Sequence, residues 1–350
     1  MTSKERVRAA ITYSYPDRTP AAFESIDLVK EKLLKHYGFT NENQLLDKFE
    51  IDIVSTYAPY TGPLKESFVN KQGHEVVYNS WEVGQIFHTI NDRVFVTVAD
   101  YPLAGLSTLK DLEKYSFPNP DNFNYEFVKR TCEKHKDKAI IVGHEGPFQM
   151  VTELMDTEEF CMLMVDEPEI TKALLDKMVD FVVEYYERVF LAADGQVDIF
   201  RPHDDYGTQI SLMFSIPMWR EFFRDNTKKL ASLAHKHGAF YMQHSCGAIA
   251  PLIPEFIDCG VDMLEPLQKL PGMDPETLFE KYGGKIVFHG GIDTQSILPF
   301  GTPDDVIKEV ELYIRTLNPE GKGGYILMAS QAIENDVPIE NIEALYSTPR

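Results

Sequence analysis

The pattern of apolar and polar positions predicts strands that alternate with helices along most of the chain. From residue 139 onward, short runs of β-branched and apolar residues alternate with longer amphipathic stretches. The runs that read as strands are Ala139–Gly143, Val197–Arg201, Ala239–His244, Val261–Glu265, Lys285–His289 and Gly324–Met328. Two upstream candidates, Ala21–Phe23 and Ile51–Ser55, bring the predicted total to eight.

Two long amphipathic stretches are the clearest predicted helices. Glu167–Ala193 has apolar residues at helical spacing, and Pro217–His237 begins with proline at a first-turn position. Strands and helices that alternate in this way form a parallel sheet joined by right-handed crossovers. We therefore expect an α/β protein with a single-domain (β/α)8 barrel, a TIM barrel, over residues 1–350.

The segment 67–106 breaks this alternation. Glu75–Tyr78 and Phe87–Ile90 flank a short polar stretch, as the two strands of a β-hairpin do. We expect a small hairpin insertion beside the barrel. Its surface is one that could pair with a second copy of the chain, so a homodimer is also an expectation.

Charge and composition exclude several classes of partner. The chain has 55 acidic against 34 basic residues, a formal charge of -21, which repels both nucleic acid and anionic membrane surfaces. No apolar run approaches the ~20 residues of a bilayer helix, and the first ten residues lack a signal-peptide core. We expect a cytoplasmic protein. Its four cysteines are too few for a disulfide framework, which favours thiol or metal chemistry.

The residues that follow the predicted strands are unusually polar. In a barrel of this class the carboxyl ends of the strands face the substrate. These positions hold His144, Glu145, His203, Asp204, Asp205, His244, Cys246, Glu265, His289, Asp293, Ser330 and Gln331. Loops are polar in general, but so many titratable groups at one end favour a functional site there.

The sharpest local signal is the run His244–Gly247, which reads HSCG. A histidine and a cysteine two positions apart at a strand end can both point inward once the chain turns at glycine. Imidazole and thiolate suit Zn²⁺, whose catalytic sites have three protein ligands and one open position. Candidates for the third ligand are Glu145, Glu265 and His289. The alternative is a histidine bonded to a neighbouring loop beside a half-buried thiol.

Paired carboxylates at Asp204 and Asp205 come directly before Tyr206. Adjacent carboxylates raise the pKa of one of them, which suits a general acid or an anchor for a polar or cationic substrate. The alternative is a helix cap and turn cluster. We take these three residues, with Glu145, as candidate catalytic groups.

Two further strand ends carry candidate substrate contacts. His144 and Glu145 precede a Gly-Pro turn that would aim them at the barrel mouth, although Glu145 is also placed to cap the following helix. His289 precedes two glycines, which let the backbone approach a ligand or simply make a tight turn.

Several motifs resemble those of the uroporphyrinogen decarboxylase superfamily, almost from end to end. They are Lys4–Val7, Pro16–Pro20, Asp204–Gln209, Pro217–Phe223, His235–Gly238, His244–Pro254, Gly290–Gln295, Leu298–Pro303, Gly324–Leu327 and Asp336–Ile342. The resemblance implies a (β/α)8 barrel, in agreement with the strand count. These motifs are typical of the superfamily and not of one reaction.

The resemblance offers two reaction types. The decarboxylases work without metal or cofactor and bind an acidic tetrapyrrole through an arginine-rich N-terminal segment. This chain lacks that segment, and its acidic balance disfavours a polyanionic substrate. The other branch comprises methyltransferases that use zinc held by a His-x-Cys pair and a later cysteine. His244 and Cys246 match the pair, but residues 329–332 read Ala-Ser-Gln-Ala where the later cysteine is expected.

The resemblance therefore implies a methyltransferase that moves a methyl group between a small molecule, such as an aryl methyl ether or a thiol, and a corrinoid protein. Glu145, Asp204 or Asp205 would protonate the leaving group, and Glu145 or Glu265 would complete a zinc site. The predicted substrate contacts are His144, His203, His289 and Gln331. The alternatives are a cofactor-free decarboxylase and a non-catalytic protein that only docks a corrinoid protein.

Overall fold

The computed structural model of the protein describes residues 1–90, 93–143 and 146–350. The strands in these ranges are β1 Ile53–Thr56, β2 Phe68–Val69, β3 Glu75–Tyr78, β4 Gly84–Ile90, β5 Arg93–Asp100, β6 Ala139–Val142, β7 Val197–Phe200, β8 Phe240–His244, β9 Met263–Glu265, β10 Val287–His289 and β11 Tyr325–Ile326. The helices are α1 Ser3–Ile11, α2 Asp27–Tyr37, α3 Glu42–Lys48, α4 Leu109–Lys114, α5 Tyr125–Lys134, α6 Pro147–Leu154, α7 Thr157–Asp166, α8 Pro168–Ala193, α9 Ile216–Phe222, α10 Arg224–Lys236, α11 Ile253–Asp258, α12 Pro275–Tyr282, α13 Ile297–Phe300, α14 Pro303–Leu317 and α15 Ile339–Ser347.

Seven strands form one curled parallel sheet in the order β1-β6-β7-β8-β9-β10-β11. Six of them fall within runs that the sequence pattern predicts, and β1 overlaps the run Ile51–Ser55 and ends one residue beyond it, so these seven predictions are confirmed. Helices lie between most consecutive strands, as right-handed crossovers require. The carboxyl ends of all seven strands therefore lie at the same edge of the sheet.

The eighth predicted strand, at Ala21–Phe23, is reduced to single bridges. Ala21 pairs with Leu327 in parallel, and its carbonyl accepts a hydrogen bond from the amide of Asp52 at 2.8 Å. The amide of Ala21 donates to the Asp52 carboxylate at 2.9 Å instead of to a neighbouring strand. This side-chain bond interrupts the ladder, so the observed sheet has seven strands where eight were expected.

A separate apolar cluster fills the inside of the curl. It contains at least one side chain from each of the seven strands, together with Ala22 and, from α1, Val7 and Ile11. Strand residues alternate between this inner cluster and the larger core under the helices, because side chains on a strand point to alternate faces. Ile53 of β1 and Ile326 of β11 belong to the same cluster although they lie on the two outermost strands.

The insertion is larger than the predicted hairpin. Strands β3 and β4 form the expected antiparallel pair, with Val77 opposite Gln85. The sequence reading missed β2 and β5, which complete a four-stranded antiparallel sheet in the order β2-β3-β4-β5. β4 and β5 pair from Gly84 to Ile90, and several of their apolar side chains are exposed.

The predicted helix at Glu167–Ala193 is confirmed as α8. The helix predicted over Pro217–His237 is two helices, α9 and α10, which meet at Phe223, where ψ is -23° and φ is -122°. The side chain of Phe223 is buried at the point where the two helices meet. Within the described residues, no helix combines the length and apolar character that crossing a membrane requires.

Candidate active site

The site lies at the carboxyl ends of neighbouring strands. β8 ends at His244, and the loop after β7 brings His203 beside it, so that the two imidazole rings stack at 4.2 Å. After His244 the chain turns at Gly247, whose φ is +97°. A side-chain carbon at Gly247 would collide with the backbone of Gly207, so only glycine lets these two loops come together.

Three donor atoms converge at this point. The ligand atoms of Asp205, His244 and Cys246 lie within 4.8 Å of one another. His244 Nε2 is 3.4 Å from Cys246 Sγ and 3.6 Å from the Asp205 carboxylate. The Cys246 amide donates to Asp205 at 2.7 Å, which ties the two loops together. One nitrogen, one sulfur and one oxygen donor form a set that suits Zn²⁺.

Glu265 lies on the opposite edge of the His244 ring. Its carboxylate is 3.5 Å from His244 Nδ1, and both of its oxygens accept hydrogen bonds from Arg201 at 2.9 Å. Burial favours the neutral acid, but Arg201, His244 and His289 hold the pKa of Glu265 well below its usual range. The structure thus places Glu265, a predicted metal ligand, behind the imidazole, where a carboxylate orients a ligating histidine.

The pKa of His244 depends on burial and on its neighbours Cys246 and Glu265. Burial alone would lower the pKa of His244, but Cys246 and Glu265 raise it to about 10. Without a metal, the ring is therefore protonated at neutral pH. A metal ion that binds Nε2 must displace a proton, which makes binding dependent on pH.

Asp204 faces away from the three donors. Its carboxyl group accepts hydrogen bonds from the Gln149 amide near the start of α6 and from the Tyr206 hydroxyl, each at 3.0 Å. Burial raises the pKa of Asp204 to about 7, although both hydrogen bonds favour the charged form. A carboxyl group of this kind can hold or release a proton near neutral pH. The adjacent predicted catalytic carboxylates therefore occupy two different environments.

The thiol of Cys246 has a second polar neighbour. The side-chain amide of Gln331 donates a hydrogen bond to Sγ at 3.0 Å. Next to it, the Gly247 amide donates to the side chain of Gln268 at 2.7 Å. Gln331 was expected among the substrate contacts; the structure places its amide against the thiol, and a contact with substrate stays a prediction. Gln268 follows the predicted strand Val261–Glu265, and no motif in the sequence identifies it as a site residue.

Arg201 and Glu24 are the charged groups that sequence reasoning missed. Arg201 is buried, donates to Glu265, and donates also to Glu24 at 3.2 Å. Their positions in the sequence could have identified them as site residues, because Arg201 ends a predicted buried strand and Glu24 follows another one. Of the other strand-end residues, Asp293 accepts a hydrogen bond from the Gln295 amide in its own loop. The Ser330 hydroxyl, in the loop after β11, accepts one from the Thr294 amide in the loop after β10.

His144 and Glu145 lie outside the described residues, so the roles predicted for them stay predictions. Of the remaining candidates, the structure brings Asp205, His244 and Cys246 together, with Gln331 against the thiol. Tyr206 is buried against Asp204 within a cluster of aromatic rings that includes Phe148.

Comparison with known proteins adds three findings. The family model described as Uroporphyrinogen decarboxylase (URO-D) matches residues 91–350. A Methylcobamide:CoM methyltransferase, MtaA, from Methanosarcina barkeri is 23% identical over 264 residues, which cover 74% of this chain and 72% of the relative. A uroporphyrinogen decarboxylase from Helicobacter pylori (strain P12) is 25% identical over 236 residues, which cover 64% of this chain and 63% of the relative.

The similarity extends to a solved structure. A methyltransferase from Methanosarcina mazei superimposes with a TM-score of 0.70 over 99% of this chain and 98% of its own, at 18% identity. At this identity the match shows a shared fold. The alignment with the Helicobacter decarboxylase spans somewhat less than two thirds of that relative's length.

Proposed function

The chain belongs to the uroporphyrinogen decarboxylase family, and we propose that within this family it is a methyltransferase that moves a methyl group between a small molecule and a corrinoid protein. Membership alone does not select the reaction, since the relatives include a methyltransferase and decarboxylases. The observation that carries the proposal is the convergence of Asp205, His244 and Cys246 at the strand ends. The resemblance implies that decarboxylases need no metal, so they have no use for such a donor set.

We propose the fold that goes with this function to be a closed (β/α)8 barrel forming one domain over residues 1–350. Two observations support closure. The carbonyl of Ala21 accepts a hydrogen bond from Asp52 beside β1, and its neighbours Pro20 and Ala22 hydrogen-bond to Leu327 beside β11. The inner apolar cluster also contains side chains from all seven strands. The inner cluster then fills the barrel, and the candidate site lies at its mouth.

His244 and Cys246 would hold the zinc ion that the family resemblance implies, with Asp205 next to them. Zinc bound there supplies positive charge that stabilises a leaving oxygen or lowers the pKa of an accepting thiol. Glu265, held by Arg201, keeps the Nδ1 edge of His244 turned toward itself and leaves Nε2 for the ion. The Gln331 amide faces the sulfur and offsets part of its negative charge.

Transfer from a methyl ether also needs a proton. The bond between the methyl carbon and the oxygen breaks, the methyl group passes to the acceptor, and the electron pair stays on the oxygen. We assign the storage of this proton to Asp204, because burial keeps its carboxyl group partly protonated near neutral pH. The hydroxyl of Tyr206 donates a hydrogen bond to the same carboxyl group.

The proposed partners are a small methyl donor or acceptor and a corrinoid protein. Pairing of two copies through the insertion sheet stays a prediction. β4 and β5 offer an exposed apolar surface for either protein partner.

The function is tested by following methyl transfer directly. Purified protein is incubated with reduced cobalamin and with 2-methoxyphenol as donor, and methylcobalamin formation is followed by absorbance. In the reverse direction, methylcobalamin and 2-mercaptoethanesulfonate test a thiol acceptor. We expect transfer in at least one assay, and a loss of at least about tenfold in Cys246→Ala, since a zinc-binding thiolate is removed.

The matched control is Cys161→Ala, which removes a half-buried cysteine of α7 and should leave transfer unchanged. Equal loss in both variants, or no transfer with either substrate pair, would contradict the proposal.

Decarboxylation is the second candidate, because curated decarboxylases are among the similar proteins. It predicts release of carbon dioxide from uroporphyrinogen with no dependence on Cys246. Arg201 argues against decarboxylation, because an acidic tetrapyrrole needs free cations to bind its carboxylates. This buried cation at the strand ends is already paired with two carboxylates of the protein. Incubation with uroporphyrinogen, followed by chromatographic analysis of the carboxyl number of the products, separates the two candidates.

A further inference from the structure

A second feature of the strand ends is a cavity of about 60 Å³ inside the curled sheet. Its apolar wall includes Ile53, Ile141 and Met328, all members of the inner cluster. Its polar wall includes Arg201 and His289. The volume is enough for roughly four to six water-sized groups, so the cavity can enclose the end of a small molecule.

The polar wall contains a buried histidine, His289, whose ring nitrogens make no hydrogen bond with the described residues. His289 is 1% exposed, and within the described residues its Nε2 makes no hydrogen bond. Its Nδ1 is 3.7 Å from Glu265, longer than a hydrogen bond. A buried ring nitrogen without a partner is costly, so a ligand that bonds to it is favoured.

The charge of this wall selects against anions. Arg201 contacts Glu265 at 2.9 Å and Glu24 at 3.2 Å, so one cation already faces two carboxylates. A carboxylate or phosphate entering the cavity would meet excess negative charge and would compete for a guanidinium that is already occupied. The apolar wall disfavours an ion of either sign. An uncharged group with one hydrogen-bonding oxygen satisfies His289 without these penalties.

Glu265 joins the cavity to the proposed metal site. One of its oxygens is 3.7 Å from His289, and the other is 3.5 Å from His244. A molecule bound to His289 is therefore separated from the metal-binding imidazole by a single carboxylate. The cavity and the proposed metal site therefore share Glu265 as a neighbour.

We infer that this cavity binds the uncharged, hydroxyl- or ether-bearing end of the methyl donor or of its demethylated product, with His289 as the hydrogen-bond partner. The inference rests on the proposed function for the identity of the bound molecule as a methyl donor or product. This narrows the substrate class to small neutral oxygen compounds. It excludes molecules whose binding depends on a carboxylate of their own.

The test measures binding alone, by titration calorimetry of the purified protein without a corrinoid. Four probes of similar size are compared: phenol, toluene, benzoate and benzylammonium. We expect phenol to bind at least about tenfold more tightly than each of the other three, because only phenol is neutral and hydrogen-bonding. The His289→Leu variant should weaken phenol binding by at least about tenfold and leave toluene binding unchanged.

Two variants keep the test decisive. His289→Asn retains hydrogen-bonding atoms and should recover part of the phenol affinity that His289→Leu loses, while thermal unfolding verifies that both variants fold. His36→Leu replaces an exposed histidine of α2 and should bind phenol as the unmodified protein does.

Tighter binding of benzoate or benzylammonium than of phenol, equal phenol binding by His289→Leu, or no binding of phenol would overturn the inference. Failure of the proposed function looks different, since phenol would bind as expected while no methyl transfer occurs. Methyl transfer without phenol binding would show that the cavity does not bind the donor, and it would still support the proposed function.

Discussion

At the residue scale, Asp204 and Asp205 show how adjacent carboxylates acquire separate roles. Asp205 lies 3.6 Å from His244 Nε2, whereas Asp204 is buried against Gln149 and Tyr206. The sequence pattern identifies both as strand-end acids, but it does not determine which side chain turns toward the histidine. That direction depends on the contact between the loops at Gly207 and Gly247.

Replacing Asp205 should weaken metal binding. We expect Asp205→Ala to lower zinc affinity by at least about tenfold, because one of three converging donors is lost. Asp204→Asn is the matched control, and it should keep zinc affinity near the original value because its side chain faces α6. Competition with a chromogenic chelator measures both. An unchanged affinity in Asp205→Ala would show that this carboxylate is not a ligand.

Replacing Glu265 should affect stability more than most single substitutions. Among the described residues, Glu265→Ala leaves the buried Arg201 with the half-exposed Glu24 as its one remaining carboxylate partner. Removing one member of a buried ion pair costs about 3–5 kcal/mol in the free energy of unfolding. Lys229→Ala is the control, since it removes an exposed pair with Asp180 and should cost less than about 1 kcal/mol. Urea unfolding compares them, and equal losses would contradict this account.

At the element scale, hydrophobic periodicity was sufficient to predict the seven strands of the parallel sheet. It was insufficient where a side chain replaces a backbone hydrogen-bond partner. The runs around β6 to β11 are mostly apolar because both faces of each strand are covered. The segment at Ala21 has a similar composition, but its amide bonds to Asp52, so it forms bridges and no full strand. Local pattern also missed the break between α9 and α10 at Phe223, which accompanies tertiary packing of a buried ring.

The inner cluster should be as sensitive to truncation as an ordinary core. Ile199 of β7 is fully buried in it, and Ile199→Ala should lower the free energy of unfolding by about 2–5 kcal/mol. Ile210 is 81% exposed, so Ile210→Ala should change stability by less than about 0.5 kcal/mol. Denaturant unfolding measures both variants. A small effect at Ile199 would mean that the inside of the curl is not a packed core.

At the scale of the whole molecule, the site is made by loops from several strands that are far apart in sequence. Asp205, Cys246 and Gln331 come from three different strand ends, and the fold brings them to one point. The His-x-Cys pair can be recognised from the sequence because its two members are close along the chain. It does not reveal the buried contact between Arg201 and Glu265, which joins residues 64 positions apart.

Metal binding should stabilise the whole chain, because the folded state alone brings the three donors together. At a free zinc concentration of about one hundred times the dissociation constant, the free energy of unfolding should rise by about 2.7 kcal/mol. The Cys246→Ala variant should show a much smaller rise, and Cys161→Ala should respond as the original chain does. Urea unfolding with and without zinc provides the comparison, and an equal rise in Cys246→Ala would point to binding elsewhere.

The most direct test is X-ray absorption spectroscopy of the purified, zinc-loaded chain. The predicted spectrum has a single sulfur neighbour at about 2.3 Å, from Cys246, and nitrogen or oxygen neighbours at about 2.0–2.2 Å, from His244, Asp205 and an exchangeable ligand. Asp205→Ala should change the oxygen shell and keep the sulfur. Two sulfur neighbours, no sulfur neighbour, or failure to bind one equivalent of zinc would contradict the assignment of these three residues as the metal site.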